Sequence, residues 1–455
     1  MQSHLQVEPV VLRTEKDLGN YFSAHAKPEC MHRIGLEAEF LLVNRKTGEA
    51  ARYSGKDGVE NVLLALANTH YYHPIKQNNY VIGLQRKDLS VSLEPGGQIE
   101  LSAPPVSTTF QVEEQVRNFV SQLKSIENKF PNLMFLSTGI QPFSSLDSIE
   151  WTPKERYKIM RRRMPPHGSL SHWMMKMTAT NQVNFDYANE DDALQKMKVA
   201  LLATPVAAAL FSNSCFSEGR LNGFRSFRMQ IWRETDRTRS GYLTQFLKSS
   251  FFFKDYLDYA LDVPMLFIIR KNKYLEVKDV TFRQFIRLGF DGEKATLADF
   301  ELHLTTLFPD VRLKQYLEVR CVDAQSPDRM TAVTAFWKGL IYSKTARAAV
   351  IKLFKKVSET DLQNGYSILP EKGLQSDLAG RSLLDWARDL TAIAFAGLSE
   401  QTTSFEQRNE SVFLEPLLSD LEKGRSPANI ILDGIERVSV QKRQNHFWLL
   451  NLIRI

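Results

Sequence analysis

Five glutamates at strand-like spacing are the residues of this chain best suited to chemistry. In Arg33–Leu42 (RIGLEAEFLL), Ile34, Leu36, Ala38, Phe40 and Leu42 share one side of an extended strand, and Glu37 and Glu39 share the other. In Leu89–Glu94 (LSVSLE), Val91 and Leu93 oppose Ser90, Ser92 and Glu94. After Pro95-Gly96-Gly97, the run Gln98–Ser102 (QIELS) repeats the split, with Glu100 on the polar side. Tyr316–Cys321 (YLEVRC) sets Glu318 and Arg320 against Leu317, Val319 and Cys321. A polar strand face is ordinarily just wetted. Such faces mix Lys, Thr and Glu, whereas here no Lys separates the carboxylates. Carboxylates gathered on one sheet repel by about 1–4 kcal/mol per close pair, so a fold that gathers them needs cations. Hard divalent ions with oxygen ligands, Mg²⁺ above all, answer that need.

Arginine is the second chemical signal. Met160–Pro166 (MRRRMPP) holds Arg161, and Gly223–Arg239 holds Arg225, Arg228, Arg233, Arg237 and Arg239. Guanidinium forks suit carboxylates and phosphates; a solvated basic face is the other reading. Glu94-Pro95-Gly96-Gly97-Gln98 reads as a tight turn between two carboxylate strands, where Pro presets one torsion and Gly permits positive φ or close approach. It lacks the Lys-Ser/Thr ending of a Walker loop, and there is no Gly-x-Gly-x-x-Gly fingerprint. His167 and His172 are candidate ligands or structural histidines. No Ser-His-Asp or Cys-His arrangement stands out, and Cys215, in an apolar stretch, reads as a buried thiol.

The elements that position these residues are mixed. Val106–Lys129 has helical spacing, with Phe110, Val112, Val116, Phe119, Val120 and Leu123 recurring along it. Leu133–Thr138 and Met177–Asp186 read as strands, the second with Thr178, Thr180, Gln182, Asn184 and Asp186 on one face. Leu194–Phe211 is a buried apolar helix that Pro205 should kink. Pro264–Arg270 and Tyr274–Val277 form a hairpin. From about Thr331 the pattern is helical only, with amphipathic stretches at Ala335–Tyr342 and Leu383–Leu398.

Composition narrows the class. The chain has 455 residues, 43% hydrophobic and 24% charged, values of a globular protein with one large domain or two ordinary ones. Net charge is +6, from 58 basic and 52 acidic residues, too mild to imply nucleic acid or a membrane surface. Met1–Pro9 shows no signal-peptide pattern, and no run approaches the roughly 20 apolar residues of a membrane span. Three widely separated cysteines suit free thiols in a reducing cytoplasm, so a cytoplasmic location is expected.

Longer blocks resemble a known family. Ile34–Phe40 (IGLEAEF), Ser90–Ser102 (SVSLEPGGQIELS), Arg156–Pro165 (RYKIMRRRMP), Ala179–Tyr187 (ATNQVNFDY), Asn222–Leu243, Asp258–Met265 (DYALDVPM), His303–Arg320 and Ala335–Tyr342 (AFWKGLIY) are similar, in order, to the plant and proteobacterial type of glutamate–cysteine ligase. The segment Cys321–Pro327 departs from the usual plant continuation and is similar to actinobacterial glutamate–cysteine ligases of the ergothioneine pathway. The disulfide switch of the plant enzymes is not carried over to a chain with three cysteines.

The resemblance implies an α+β fold: a mostly antiparallel, glutamine-synthetase-like curved sheet with helices on one face and a helical C-terminal segment. Residues 1–345 would form the ligase body and 346–455 the helical segment packed on it, as one integral domain. It implies ligation of the L-glutamate γ-carboxylate to the L-cysteine amine through a γ-glutamyl phosphate, the first step of glutathione synthesis, with ATP as co-substrate and two or three Mg²⁺ ions. Glu37, Glu39, Glu94, Glu100 and Glu318 would be metal ligands. Arg161 and Arg320 would be catalytic. Arg228, Gln98, Thr180, Gln182 and Asn184 would bind substrate. Expected partners are these small molecules, with no nucleic acid and no membrane; monomer and dimer remain open. A γ-glutamyl ligase with another amine acceptor, and a catalytically silent binding protein on the same scaffold, are the rival readings.

Overall fold

The computed structural model describes residues 10–248, 250–401, 408–437 and 447–455. Met1–Pro9, read as showing no signal-peptide pattern, and parts of the C-terminal segment lie outside these. A nine-stranded sheet organises the chain. Its strands are β1 (Ile34–Asn44), β2 (His73–Gln77), β3 (Tyr80–Arg86), β4 (Leu89–Leu93), β5 (Ile99–Ser102), β6 (Leu133–Leu136), β7 (Thr180–Phe185), β8 (Val311–Leu313) and β9 (Leu317–Asp323). They lie in the order β8-β9-β7-β1-β5-β4-β3-β2, with β6 also on β1, and every pair is antiparallel.

The alternation in β1 is what the fold uses. Ile34, Leu36, Ala38, Phe40 and Leu42 enter the main core, with Val91, Leu93, Ile99, Leu101, Val183 and Phe185 from neighbouring strands. Helix α1 (Val59–His70) packs there through Val62 and Leu66, and helix α2 (Thr109–Lys129) through Val112, Val116, Phe119 and Leu123. Helix α2 begins three residues after Val106 because Thr108 and Gln111 form a reciprocal capping box. The helix Pro327–Tyr342 and the helix Leu383–Glu400 share the same core.

The opposite sheet face is polar along Glu37 and Glu39, and further along β1 it turns apolar. Leu41 and Val43 pack there into a second cluster with Met134 and Leu136 of β6 and with Leu449 and Leu450. The expectation of helices on one face needs extending. Short helices α3 (Glu155–Arg163), α4 (Ser171–Met177) and α6 (Phe227–Arg233) form a third apolar cluster over the polar face, through Met160, Met164, Met174, Met175 and Ile231.

Other expected elements hold with shifted ends. Helix α5 spans Glu190–Leu210 and continues through Pro205. It is long and apolar enough to cross a membrane, contrary to the sequence reading, but 83% of its most apolar window is buried inside the protein. The hairpin pairs Phe267–Arg270 with Lys273–Glu276. The C-terminal part is not purely helical, since Asp377–Leu378 pairs with Arg381–Ser382.

Candidate active site

Strand register sets the polar residues in rows across the sheet. One row runs Arg312 on β8, Glu318 on β9 and Asn184 on β7. The next runs Gln182, Glu37 and Ser102 across β7, β1 and β5. The third runs Glu39, Glu100 and Ser92 across β1, β5 and β4. These rows floor a cleft of about 200 Å³ lined by Glu37, Glu39, Glu94, Gln98, Glu100, Thr180, Gln182, Arg228, Arg312 and Arg320. That is below the roughly 300–1,000 Å³ of a typical small-molecule site. Walls this polar suit the charged end of a small ligand.

The turn after β4 aims Glu94. Gly97 has φ +85°, and a side chain on Gly96 would collide with the Lys176 carbonyl at 2.2 Å. Gln98 accepts from the Gly96 N–H at 2.9 Å and donates to the Thr178 carbonyl at 2.8 Å, tying the turn to the end of α4. The Glu94 side chain accepts from the Tyr157 hydroxyl of α3 at 3.3 Å.

The carboxylates fall into two electrostatic groups. Burial pushes Glu37 up to about 7, aided by Glu318 and Glu100. Burial pushes Glu100 up to about 7, aided by Glu94. Burial, then Glu94 and Glu100, hold Glu39 well above the usual range. Their hydrogen bonds are few: Asn184 Nδ2 donates to Glu37 at 3.0 Å, the Thr180 N–H to Glu39 at 3.0 Å and the Ser92 hydroxyl to Glu100 at 3.2 Å. Glu318 is the reverse case. Burial raises its pKa, yet Arg312, Lys314 and Arg320 outweigh burial and hold it well below the usual range. Arg312 Nη2 lies 2.7 Å and Lys314 Nζ 2.9 Å from its oxygens, and Arg320 also pairs with it.

Cations form the cleft's other wall. Arg228 is buried, and its Nη2 donates to the Arg320 carbonyl at 3.0 Å. Its Nε is buried without a hydrogen-bond partner. Among the described residues no carboxylate lies within ion-pairing distance of it. Arg156 is similar: its Nε lacks a partner, and its Nη2 reaches only Thr305 Oγ1, at 3.5 Å. Arg320 donates to Gln182 as well as to Glu318.

Two expected site residues lie outside the cleft lining. Arg161 is exposed on the outer side of α3, over the Trp151 ring, and does not line the cleft. The helix turns it away, because it follows the buried Met160 by one residue. Arg156, at i−4 from Met160, is the residue that faces the cleft. Asn184 supports Glu37 instead of lining the cleft. The Thr180 hydroxyl is committed to the Val322 carbonyl at 2.6 Å. His172 contacts the Arg161 carbonyl and Trp151, and neither it nor His167 lines the cleft. Sequence reasoning missed Arg156, Arg312, Tyr157 and Trp232.

A larger cavity of about 810 Å³ adjoins the helices Glu190–Leu210 and Pro327–Tyr342, but its carboxylates are already paired: Asp192 with Lys196 and Arg347, Glu410 with Lys338 and Glu29 with Lys344. Among the described residues the carboxylate cleft is where charges of both signs face each other without ion-pair partners.

Sheet and cleft together set an acidic floor against a basic wall, an arrangement suited to charged small molecules. The chain belongs to the glutamate-cysteine ligase family 2, whose model matches residues 33–446. It is 36% identical over 423 residues to the chloroplastic glutamate–cysteine ligase of Solanum lycopersicum, covering 92% of this chain and 79% of the relative. It is 37% identical over 427 residues to chloroplastic glutamate–cysteine ligase B of Oryza sativa subsp. japonica, covering 93% and 84%. A crystal structure of the Francisella tularensis glutamate–cysteine ligase in complex with AMP shares the fold, with TM-score 0.55 at 13% identity, covering 93% of this chain and 87% of that one. The expected cytoplasmic location does not stand, because these plant relatives are chloroplastic enzymes.

Proposed function

We propose that the cleft joins the γ-carboxylate of L-glutamate to the amine of L-cysteine with ATP as co-substrate, the first step of glutathione synthesis. Family membership carries the ligase reaction. The single structural observation that supports this site for it is the facing of Glu37, Glu39, Glu94 and Glu100 by buried, partly unpartnered arginines in one cleft.

The donor set fits hard divalent cations. It is all oxygen, and burial and mutual repulsion have raised three of its members, so an ion there would relieve both. As the side chains stand, among the described residues no three His, Cys, Asp or Glu groups converge on one ion. Glu37, Glu39, Glu94 and Glu100 would hold Mg²⁺. Glu318 would reach an ion only with one of its arginine or lysine pairs opened. Bound there, Mg²⁺ supplies charge neutralisation for a triphosphate and a migrating phosphoryl group.

The reaction divides in two. The glutamate γ-carboxylate oxygen attacks the γ-phosphorus of ATP, which releases ADP and leaves an acyl phosphate. The cysteine nitrogen, as the free amine, then attacks that acyl carbon, the C–O bond to phosphate breaks, and the departing phosphate carries off the amine's proton as the amide forms. Arg228, with its unpartnered Nε, offers a carboxylate a charge-assisted hydrogen bond in a site shielded from water. Arg156 and Arg320 line the same wall and would counter the charge of the phosphoryl group in flight. Gln98 and Gln182 hold the turn and Arg320 in place.

The organisation we propose is one catalytic unit, with residues 1–345 as its body and 346–455 packed on it. The main core supports this, since it joins Phe336 to Leu390. The test of function is ADP release from purified protein with L-glutamate, ATP and Mg²⁺, with and without L-cysteine, and product mass. Cysteine-dependent ADP release with γ-glutamylcysteine formed supports the reading. Turnover only with another amine overturns the acceptor, and no ADP with any amine overturns the enzyme.

A further inference from the structure

Asp323 ends β9, the strand that carries Glu318 and Arg320, and it is 1% exposed. It does not line the cleft. Its Oδ2 accepts from the Asn213 N–H at 2.6 Å and from the Ser214 hydroxyl at 2.7 Å. Its Oδ1 accepts from the Ser226 hydroxyl at 2.9 Å. Both serines pass the constraint on. The Ser214 oxygen accepts from the Arg228 N–H at 3.1 Å. Ser226 is the N-cap of α6, and its oxygen accepts from the Met229 N–H at 3.3 Å. Arg228 is therefore held at both ends by one strand: its guanidinium by the Arg320 carbonyl, and its backbone through the serines by Asp323.

Gly139 lies close behind the Asp323 side chain. A Cβ on Gly139 would come 2.6 Å from Asp323 Cβ and Cγ, so a glycine must stand behind it. Three donors on two oxygens also leave one rotamer that satisfies all of them. A buried acid that served only for packing would need no hydroxyls between itself and the start of α6.

We propose that Asp323 is a positioning residue for the substrate-binding Arg228, acting through Ser214 and Ser226 to fix the start of α6 and so the reach of the guanidinium into the cleft. This rests on the reading that Arg228 binds L-glutamate. Asp323 itself touches no substrate. A shift of the helix start by a few tenths of an ångström would weaken glutamate binding while leaving ATP binding, on other cleft residues, alone.

The test is steady-state kinetics of the full chain carrying Ser214→Ala, Ser226→Ala, Asp323→Asn, Arg228→Lys, or Asp323→Asn with Arg228→Lys. Expected is a rise of about tenfold in the KM for L-glutamate in each serine variant and in Asp323→Asn, with the KM for ATP within about twofold and kcat falling less than KM rises. In the double variant the two effects fall short of multiplying, because both act on one contact. Should Asp323→Asn not fold, the serine variants carry the test, since each leaves Asp323 two donors. A lowered melting temperature with an unchanged KM for glutamate overturns the proposal, and so does full multiplication in the double variant. Arg228→Lys raising that KM while the serine variants do not overturns the positioning alone. Arg228→Lys leaving it unchanged overturns the glutamate reading and the positioning with it.

Discussion

Glu39 and Glu100 stand directly opposite each other across the antiparallel pair of β1 and β5, on the face that floors the cleft. Cross-strand neighbours hold their Cβ atoms about 5 Å apart, and like charges there are destabilising. Among the described residues no lysine or arginine relieves them at contact distance. Cations that do reach carboxylate on this floor, Arg312, Lys314 and Arg320, are spent on Glu318. A fold that keeps this pair gives up stability for a charged site.

Glu39→Gln removes one charge of the pair and keeps an oxygen for the Thr180 N–H. Protein free of divalent ions should then gain stability, by roughly 1–3 kcal/mol, while ligase turnover falls about a hundredfold or more. Denaturant melts in EDTA and ADP-release assays read the two quantities separately. Retained turnover with ordinary Mg²⁺ dependence would remove Glu39 from the ligand set.

The raised carboxylates set the pH dependence. Glu37 and Glu100 lie at about 7 when folded against 4.5 ordinarily. The folded chain therefore holds more protons than the unfolded chain between these values, and its stability falls as pH rises through that window. Glu318, held low, has the opposite sign: its contribution is present above 4.5 and is lost as pH falls below it. Without divalent ions, stability should peak near pH 5 and decline to about pH 7.5. Added Mg²⁺ should flatten the decline by binding the ionised form. Urea midpoints from pH 4 to pH 8.5, with EDTA and with Mg²⁺, check this; a midpoint that rises from pH 5 to 7.5 in EDTA contradicts it.

Arg156 takes the place in the cleft that the sequence reading gave to Arg161. Arg161→Ala should change kcat/KM by less than about twofold, since the side chain is exposed and stacks on Trp151. Arg156→Ala should lower it about a hundredfold, the scale of losing an electrostatic contact at a reacting group. Kinetics with ATP and L-glutamate varied in turn separates them, and equal effects of the two substitutions would refute the placement.

The acidic floor was legible because period-two alternation is a local signal: each of the four glutamate strands shows its apolar face within a few residues. The basic wall was legible only as composition. Which arginine of a helix faces inward depends on what packs over it, and the buried Met160 was the available clue, through its i−4 neighbour Arg156. Arg312 could have been found, since Val311–Leu313 and Leu317–Asp323 read as a hairpin that sets Arg312 beside Glu318. The roof of α3, α4 and α6 could not, because its methionines and aromatics meet across large sequence separations. Nor does alternation predict the irregularity between Val319 and Val322 in the β7–β9 pairing.

Glu318 differs from Glu39 in kind, and a single substitution separates them. Both are buried strand glutamates on one sheet face. Around Glu318, Arg312 makes a bidentate pair, Lys314 adds a second cation and Arg320 a third. Removing the charge leaves three buried or half-buried cations facing one another, and breaking a buried pair from one side costs roughly 3–5 kcal/mol. Glu318→Gln should therefore destabilise the chain by about that amount, where Glu39→Gln stabilises it. Mg²⁺ should not restore the loss, because a further cation cannot serve arginines that have lost their anion. Urea melts of the two variants side by side, with EDTA and with Mg²⁺, decide it. Equal signs for the two changes would mean that Glu318 belongs with the other four carboxylates as a cation ligand, not as the anchor of the basic wall.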